Sequence, residues 1–67
     1  MSVAKVSEIT ASSTKGFDDA IRVGLDRANK TLKNVTSAWI QDHEVSIDNG
    51  KISEYKVRMK ITFILND

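Results

Sequence analysis

From Ile52 to Leu65 apolar and polar residues alternate almost without error. Tyr55, Val57, Met59, Ile61, Phe63 and Leu65 fall on one side, and Glu54, Lys56, Arg58, Lys60 and Thr62 on the other. A period of two is the pattern of a strand buried on one face. Asn49-Gly50, just upstream, suits a type I′ turn, whose two central residues both need positive φ. Ser37 to Leu65 therefore reads as one long β-hairpin. With Asn49 and Gly50 as the loop, Ile47 faces Ile52, Val45 faces Glu54, His43 faces Lys56, Gln41 faces Arg58, Trp39 faces Lys60 and Ser37 faces Thr62. Partners share a face. Ser37, Trp39, Gln41 and His43 then join Lys56, Arg58 and Lys60 on a polar face. Ala38, Ile40, Met59 and Ile61 form the opposite one, with Asp42 and Glu44 on the core side near the turn.

Upstream, Val3 to about Ser12 predicts a first strand rich in β-branched residues. Its alternation is imperfect, which a bulge or burial on both faces would explain. Phe17 to about Leu32 predicts an amphipathic helix, with Phe17, Ala20, Ile21, Gly24, Leu25, Ala28 and Leu32 on one stripe. Asp18 and Asp19 suit the positive end of its dipole, and Lys30 and Lys33 the other end. Gly24 costs roughly 1 kcal/mol against Ala inside a helix. Its expected use is close approach of helix to sheet.

The order β-α-β-β predicts an α+β fold, a three-stranded antiparallel sheet with one helix on one face. Lengths then add something. A helix of ~16 residues spans ~24 Å, whereas a strand of ~14 residues spans ~46 Å. The helix cannot cover the whole apolar row, so apolar surface and an open edge are left for assembly.

Composition supports the same conclusion. Sixty-seven residues form one domain, 1–67, too small to bury a large fraction of its surface. No cysteine is present, which excludes disulfides and thiolate metal sites. Partner subunits are the remaining source of stability. The net charge of +1 selects neither nucleic acid nor membrane. Without a signal peptide or long apolar run, the chain reads as cytoplasmic.

Nothing in the sequence forms a catalytic set. The single histidine, His43, has no carboxylate at a triad-like position. Asp42 and Glu44 are weak candidates for a hard-cation site. The polar hairpin face is the candidate binding site. There Trp39 stands among Ser37, Gln41, Lys56, Arg58 and Lys60 and can stack a planar ligand. Alternatively, Trp39 only covers the stem of Lys60 in a cation–π contact.

Several segments, in order, carry a family resemblance. They are Lys-Val-x-Glu-Ile near the start, Ala-Ser-Ser-Thr-Lys-Gly-Phe-Asp-Asp-Ala at 11–20, Arg-Ala-Asn-Lys-Thr-Leu at 27–32, and Asp-Asn-Gly-Lys-Ile-x-Glu-Tyr-x-Val at 48–57. Together they resemble the dodecins over essentially the whole chain. The resemblance implies a hollow homododecamer and, for many members, storage of flavins. It implies a tryptophan that stacks on the isoalloxazine ring and a glutamine that contacts the ring edge. Those two positions fall on Ser37 and Lys56 here. The expected function is non-enzymatic binding and storage of an FMN- or riboflavin-type flavin at an interface between subunits. Trp39 is the expected platform, with Gln41, Lys56 and Arg58 as polar or phosphate contacts and Ser37 at the vacated position. The alternative is a flavin-free shell that binds calcium or an anionic ligand, or a purely structural assembly. Some dodecins lacking the tryptophan are associated with calcium, which would give Asp42 or Glu44 a role.

Overall fold

The computed structural model describes residues 2–65. Strand β1 (Val3–Ser13) leads into helix α1 (Phe17–Thr31), and β2 (Val35–Asp48) and β3 (Lys51–Leu65) form the hairpin. Strand order is β1-β3-β2, antiparallel throughout. The longest and most regularly alternating strand thus takes the centre, and both neighbours are edges. Asn49 (φ 52°) and Gly50 (φ 75°) both have positive φ, as the tight turn requires. Asn34, at φ 62°, turns the chain from α1 into β2, a conformation asparagine tolerates. Its backbone carbonyl accepts from Ile64 N at 3.1 Å.

Helix α1 lies on β1 and β3. Val57, Met59 and Ile61 of β3 are completely buried beneath it, as is Ala20 of the helix. Ile9, Ala11, Phe17, Ile21, Leu25, Leu32, Val35, Ala38 and Ile40 pack around them. Small residues make the close approach possible. Ala20, Gly24 and Ala28 form the buried stripe of the helix, and a Cβ on Gly24 would run into Met59 Cε and lie 3.0 Å from Ala11 Cβ. At the helix N-terminus Ser13 Oγ donates to Asp19 Oδ2 at 2.6 Å, and Arg22 pairs with Asp19. These two hydrogen bonds, Ser13 first, hold the Asp19 carboxyl below its ordinary pKa of 3.8.

The molecule is 51 Å long, and the helix covers only its middle. Val3 and Leu65 at one end, and Ile47 and Ile52 at the other, are exposed. Strand β1 runs against β3 in unbroken register from Val3↔Leu65 to Ser13↔Tyr55. Its imperfect pattern therefore comes neither from a bulge nor from burial on both faces. Val6 points outward and stays 52% exposed.

The irregularities lie instead between β2 and β3. Trp39↔Lys60 and Ile40↔Met59 pair as the turn predicts. The register then slips at Gln41, giving Asp42↔Arg58, His43↔Val57, Glu44↔Lys56 and Val45↔Tyr55, and returns at Ile47↔Ile52. Gln41 is the extra residue at one end of the slipped segment and Ser53 at the other. Ser53 Oγ donates to the Ser46 carbonyl at 3.1 Å. A bulge sets two residues against one. Residues 42 to 46 therefore change faces relative to the uninterrupted register.

Candidate functional site

The sheet face turned away from α1 is built from alternate residues of all three strands. Glu8, Lys60 and Trp39 form one row across it, and Thr10, Arg58 and Asp42 the next. Ser12, Lys56 and Glu44 follow toward the turn, and Val6, Thr62 and Ser37 lie on the other side of the Trp39 row. Strand alternation places Trp39 outward, and it is 64% exposed. Lys60 Nζ sits 5.4 Å from the indole centroid. An exposed cation–π contact of this kind is worth about 0.5–1 kcal/mol, too little to hold so much apolar surface in water for its own sake. The indole remains available to a planar partner.

The bulge corrects three expectations. Asp42 and Glu44 lie on this outer face, not on the core side. His43 leaves the polar face and pairs with Val57 rather than Lys56. Gln41 does not face Arg58; as the bulged residue it has no β3 partner and is exposed. The physical reason is the extra residue, which reverses the sense of alternation over the following segment.

Two local structures result. His43 now packs on Phe17 with ring centroids 4.6 Å apart, and Phe17 meets Tyr55 edge-on at 5.1 Å. This aromatic group closes the core at the start of the helix. On the outer face, Arg58 Nη1 donates to Asp42 Oδ1 and Nη2 to Glu44 Oε1, each at 2.7 Å. The hydrogen bonds it donates, to Asp42 first and then to Glu44, push the guanidinium pKa upward, so it stays charged throughout the accessible pH range. All three side chains are about half exposed. Such a cluster does little for stability but fixes where the charges stand.

Of the residues expected from sequence, Ser37, Trp39, Lys56 and Arg58 share the outer face, with Gln41 at its β2 edge. Sequence reasoning did not anticipate the carboxylates that hold Arg58. As cation ligands they are already engaged. Among the described residues, no group of three or more His, Cys, Asp or Glu side chains is placed to hold a metal ion. Among the same residues, no helix is long and apolar enough to cross a membrane.

The sequence pattern of the dodecins matches residues 3–66. The chain belongs to the dodecin family. The dodecin of Thermus thermophilus is 29% identical over 65 residues, covering 97% of this chain and 94% of that one. The structure of the Streptomyces davaonensis dodecin superposes with a TM-score of 0.94 at 32% identity, covering 98% of this chain and 97% of the other. A calcium dodecin of Mycobacterium tuberculosis, described as a calcium-chelating immunodominant antigen with a novel calcium-binding site, superposes with a TM-score of 0.83. That match covers 96% of this chain and 91% of the other. At 23% identity it speaks for the shared fold alone.

Proposed function

We propose that this dodecin is a cytoplasmic, non-enzymatic binding protein that stores or sequesters an FMN- or riboflavin-type flavin in a homododecameric shell. Trp39 is the stacking platform. Ser37, Gln41 and Lys56 supply the polar rim, and Arg58 lies at its edge within its pair of carboxylates. The observation that carries this reading is an indole left 64% exposed on the outer face of a dodecin subunit. Assembly is supported by the exposed Val3, Val6, Ile47, Ile52 and Leu65 and by the two open sheet edges. The calcium alternative has less support, since Asp42 and Glu44 both accept from Arg58.

The test is a flavin fluorescence titration of the purified assembly, with its mass fixed by light scattering. Saturable quenching is expected, because a flavin stacked on an indole loses its excited state to the ring. Trp39→Ala should weaken binding by about 1–3 kcal/mol, the range for stacking on an aromatic side chain. Unchanged affinity in that variant would move the site off Trp39, and no quenching in the native protein would end the flavin reading.

A further inference from the structure

The outer face around Trp39 carries no positive excess. Its described cations are Lys56, Arg58 and Lys60, and its described carboxylates are Glu8, Asp42 and Glu44. Consider a planar ring stacked on Trp39 with a polar tail. Toward the turn, the tail passes over Asp42, Arg58 and Glu44, where one guanidinium stands against two carboxylates at 2.7 Å. Beyond them Lys56 lies opposite Glu44. Away from the turn, the tail meets Ser37, Thr62 and Val6, a surface of hydroxyls and methyls. Across the sheet it meets Glu8, which lies opposite Lys60. Lys60 itself is drawn over the indole. No direction offers the concentrated positive charge that a phosphate dianion requires. A second copy bringing the same face would add the same balance of charge, with no positive surplus.

This step rests on the flavin reading above and narrows it. We infer that the site selects uncharged, riboflavin-type isoalloxazines over their phosphorylated forms, and that Asp42 and Glu44 set the selection by neutralising Arg58. The bulge at Gln41 is what brings the two carboxylates onto Arg58. Ribityl hydroxyls can still hydrogen-bond to this rim through Ser37 and Thr62, whose hydroxyls both donate and accept.

The experiment compares riboflavin with FMN by fluorescence quenching. It uses the native assembly and an Asp42→Asn/Glu44→Gln double variant, at low and high salt. The native protein should prefer riboflavin by about tenfold or more at low salt, as like-charge juxtaposition predicts, and the preference should shrink at high salt. The double variant should lose the preference by tightening FMN, with riboflavin affinity held within about threefold, since the neutral ligand gains no ion pair. If the double variant does not assemble, Asp42→Asn alone should move the ratio in the same direction. Equal affinities in the native protein would overturn the inference while leaving flavin binding intact. So would an unchanged ratio in the variants, or a collapse of riboflavin binding in the double variant, which would make the carboxylates part of the site's framework. Absence of quenching by both flavins in the native protein would remove the binding reading, and the selectivity with it.

Discussion

Adding one methyl group at Gly24 tests the packing of this subunit most directly. In an exposed helix Gly→Ala stabilises by about 1 kcal/mol. Here Gly24 is buried, and its new Cβ would run into Met59 Cε, lie 3.0 Å from Ala11 Cβ and 3.5 Å from Ile9 Cδ1. Met59 is completely buried, so its terminal methyl can give way only by repacking against its core neighbours. Ala11 is on the backbone of β1 and can retreat only if the strand moves. Overpacking of this kind costs about 1–3 kcal/mol. Set against the gain in helix propensity, the net expectation is a loss of about 1 kcal/mol. Met59→Leu supplies the control. It removes the long thioether arm at nearly constant volume, which by itself costs under about 1.5 kcal/mol. In that background Gly24→Ala should cost less, with a coupling of about 0.5–1 kcal/mol between contacting sites. The assay is urea unfolding followed by far-UV circular dichroism, at one protomer concentration because association contributes to the midpoint. A stabilising Gly24→Ala in the native background would refute the close approach of helix and sheet. An equal effect in both backgrounds would show that Met59 is not what the methyl meets.

Other perturbations read other parts of the fold. Phe63 is partly exposed, beside a groove of about 230 Å³ lined by Leu32, Asn34 and Leu65. Phe63→Asp should therefore lower the assembled mass in light scattering while keeping the dichroism of a folded subunit. Met59→Asp places a charge in the sealed core and should lose both, at a cost of several kcal/mol; an intact large assembly from both variants would contradict the packing described. Asp19 has a depressed pKa in the fold, so its contribution to stability is present above 3.8 and is lost as pH falls through the lower folded value. Asp19→Asn should accordingly flatten the acid limb of the urea midpoint against pH. An unaltered limb would assign acid sensitivity elsewhere.

Most of the fold was legible in the sequence because three strong signals agree. The alternation of β3, the Asn-Gly turn and the 3.6-residue stripe of α1 each fix an element, and the observed bounds differ from the expected ones by at most two residues, at the start of β2. The close approach at Gly24 was also legible, from the cost of a glycine on an apolar stripe. The bulge at Gln41 was not read, and the reason is specific. Hydrophobicity fixes register only where one face of a strand is apolar, and Gln41 to Glu44 are polar at every position. Neither register was favoured by burial there. A different signal was present in the sequence. The uninterrupted register sets Val45 against Glu54. A shift by one residue sets Val45 against Tyr55 and, at the same time, Asp42 against Arg58 and Glu44 against Lys56. Cross-strand pairing favours opposite charges and apolar–aromatic partners, and all three of these pairs improve together.

The same bulge separates the two halves of β2 into different kinds of surface. Before it, Ala38 and Ile40 point to the core and Ser37 and Trp39 outward, as uninterrupted alternation requires. After it, His43 lies on the helix side of the sheet and, still exposed, packs its ring at a tilt against Phe17. Without the bulge, the position opposite Val57 would fall to Asp42, whose carboxylate offers no ring face to Phe17, whereas the exposed imidazole of His43 does. The bulge thus serves the helix side at His43 and the outer face at Arg58 in one move. It also leaves Gln41 unpaired at the β2 edge, two positions from the indole, where its amide has donor and acceptor groups that no strand partner uses. Alternation alone sets Trp39 and Gln41 two positions apart, and the bulge frees Gln41 from the ladder and turns Asp42 and Glu44 onto Arg58, so the irregular segment of β2 shapes the proposed site together with the regular strand β3.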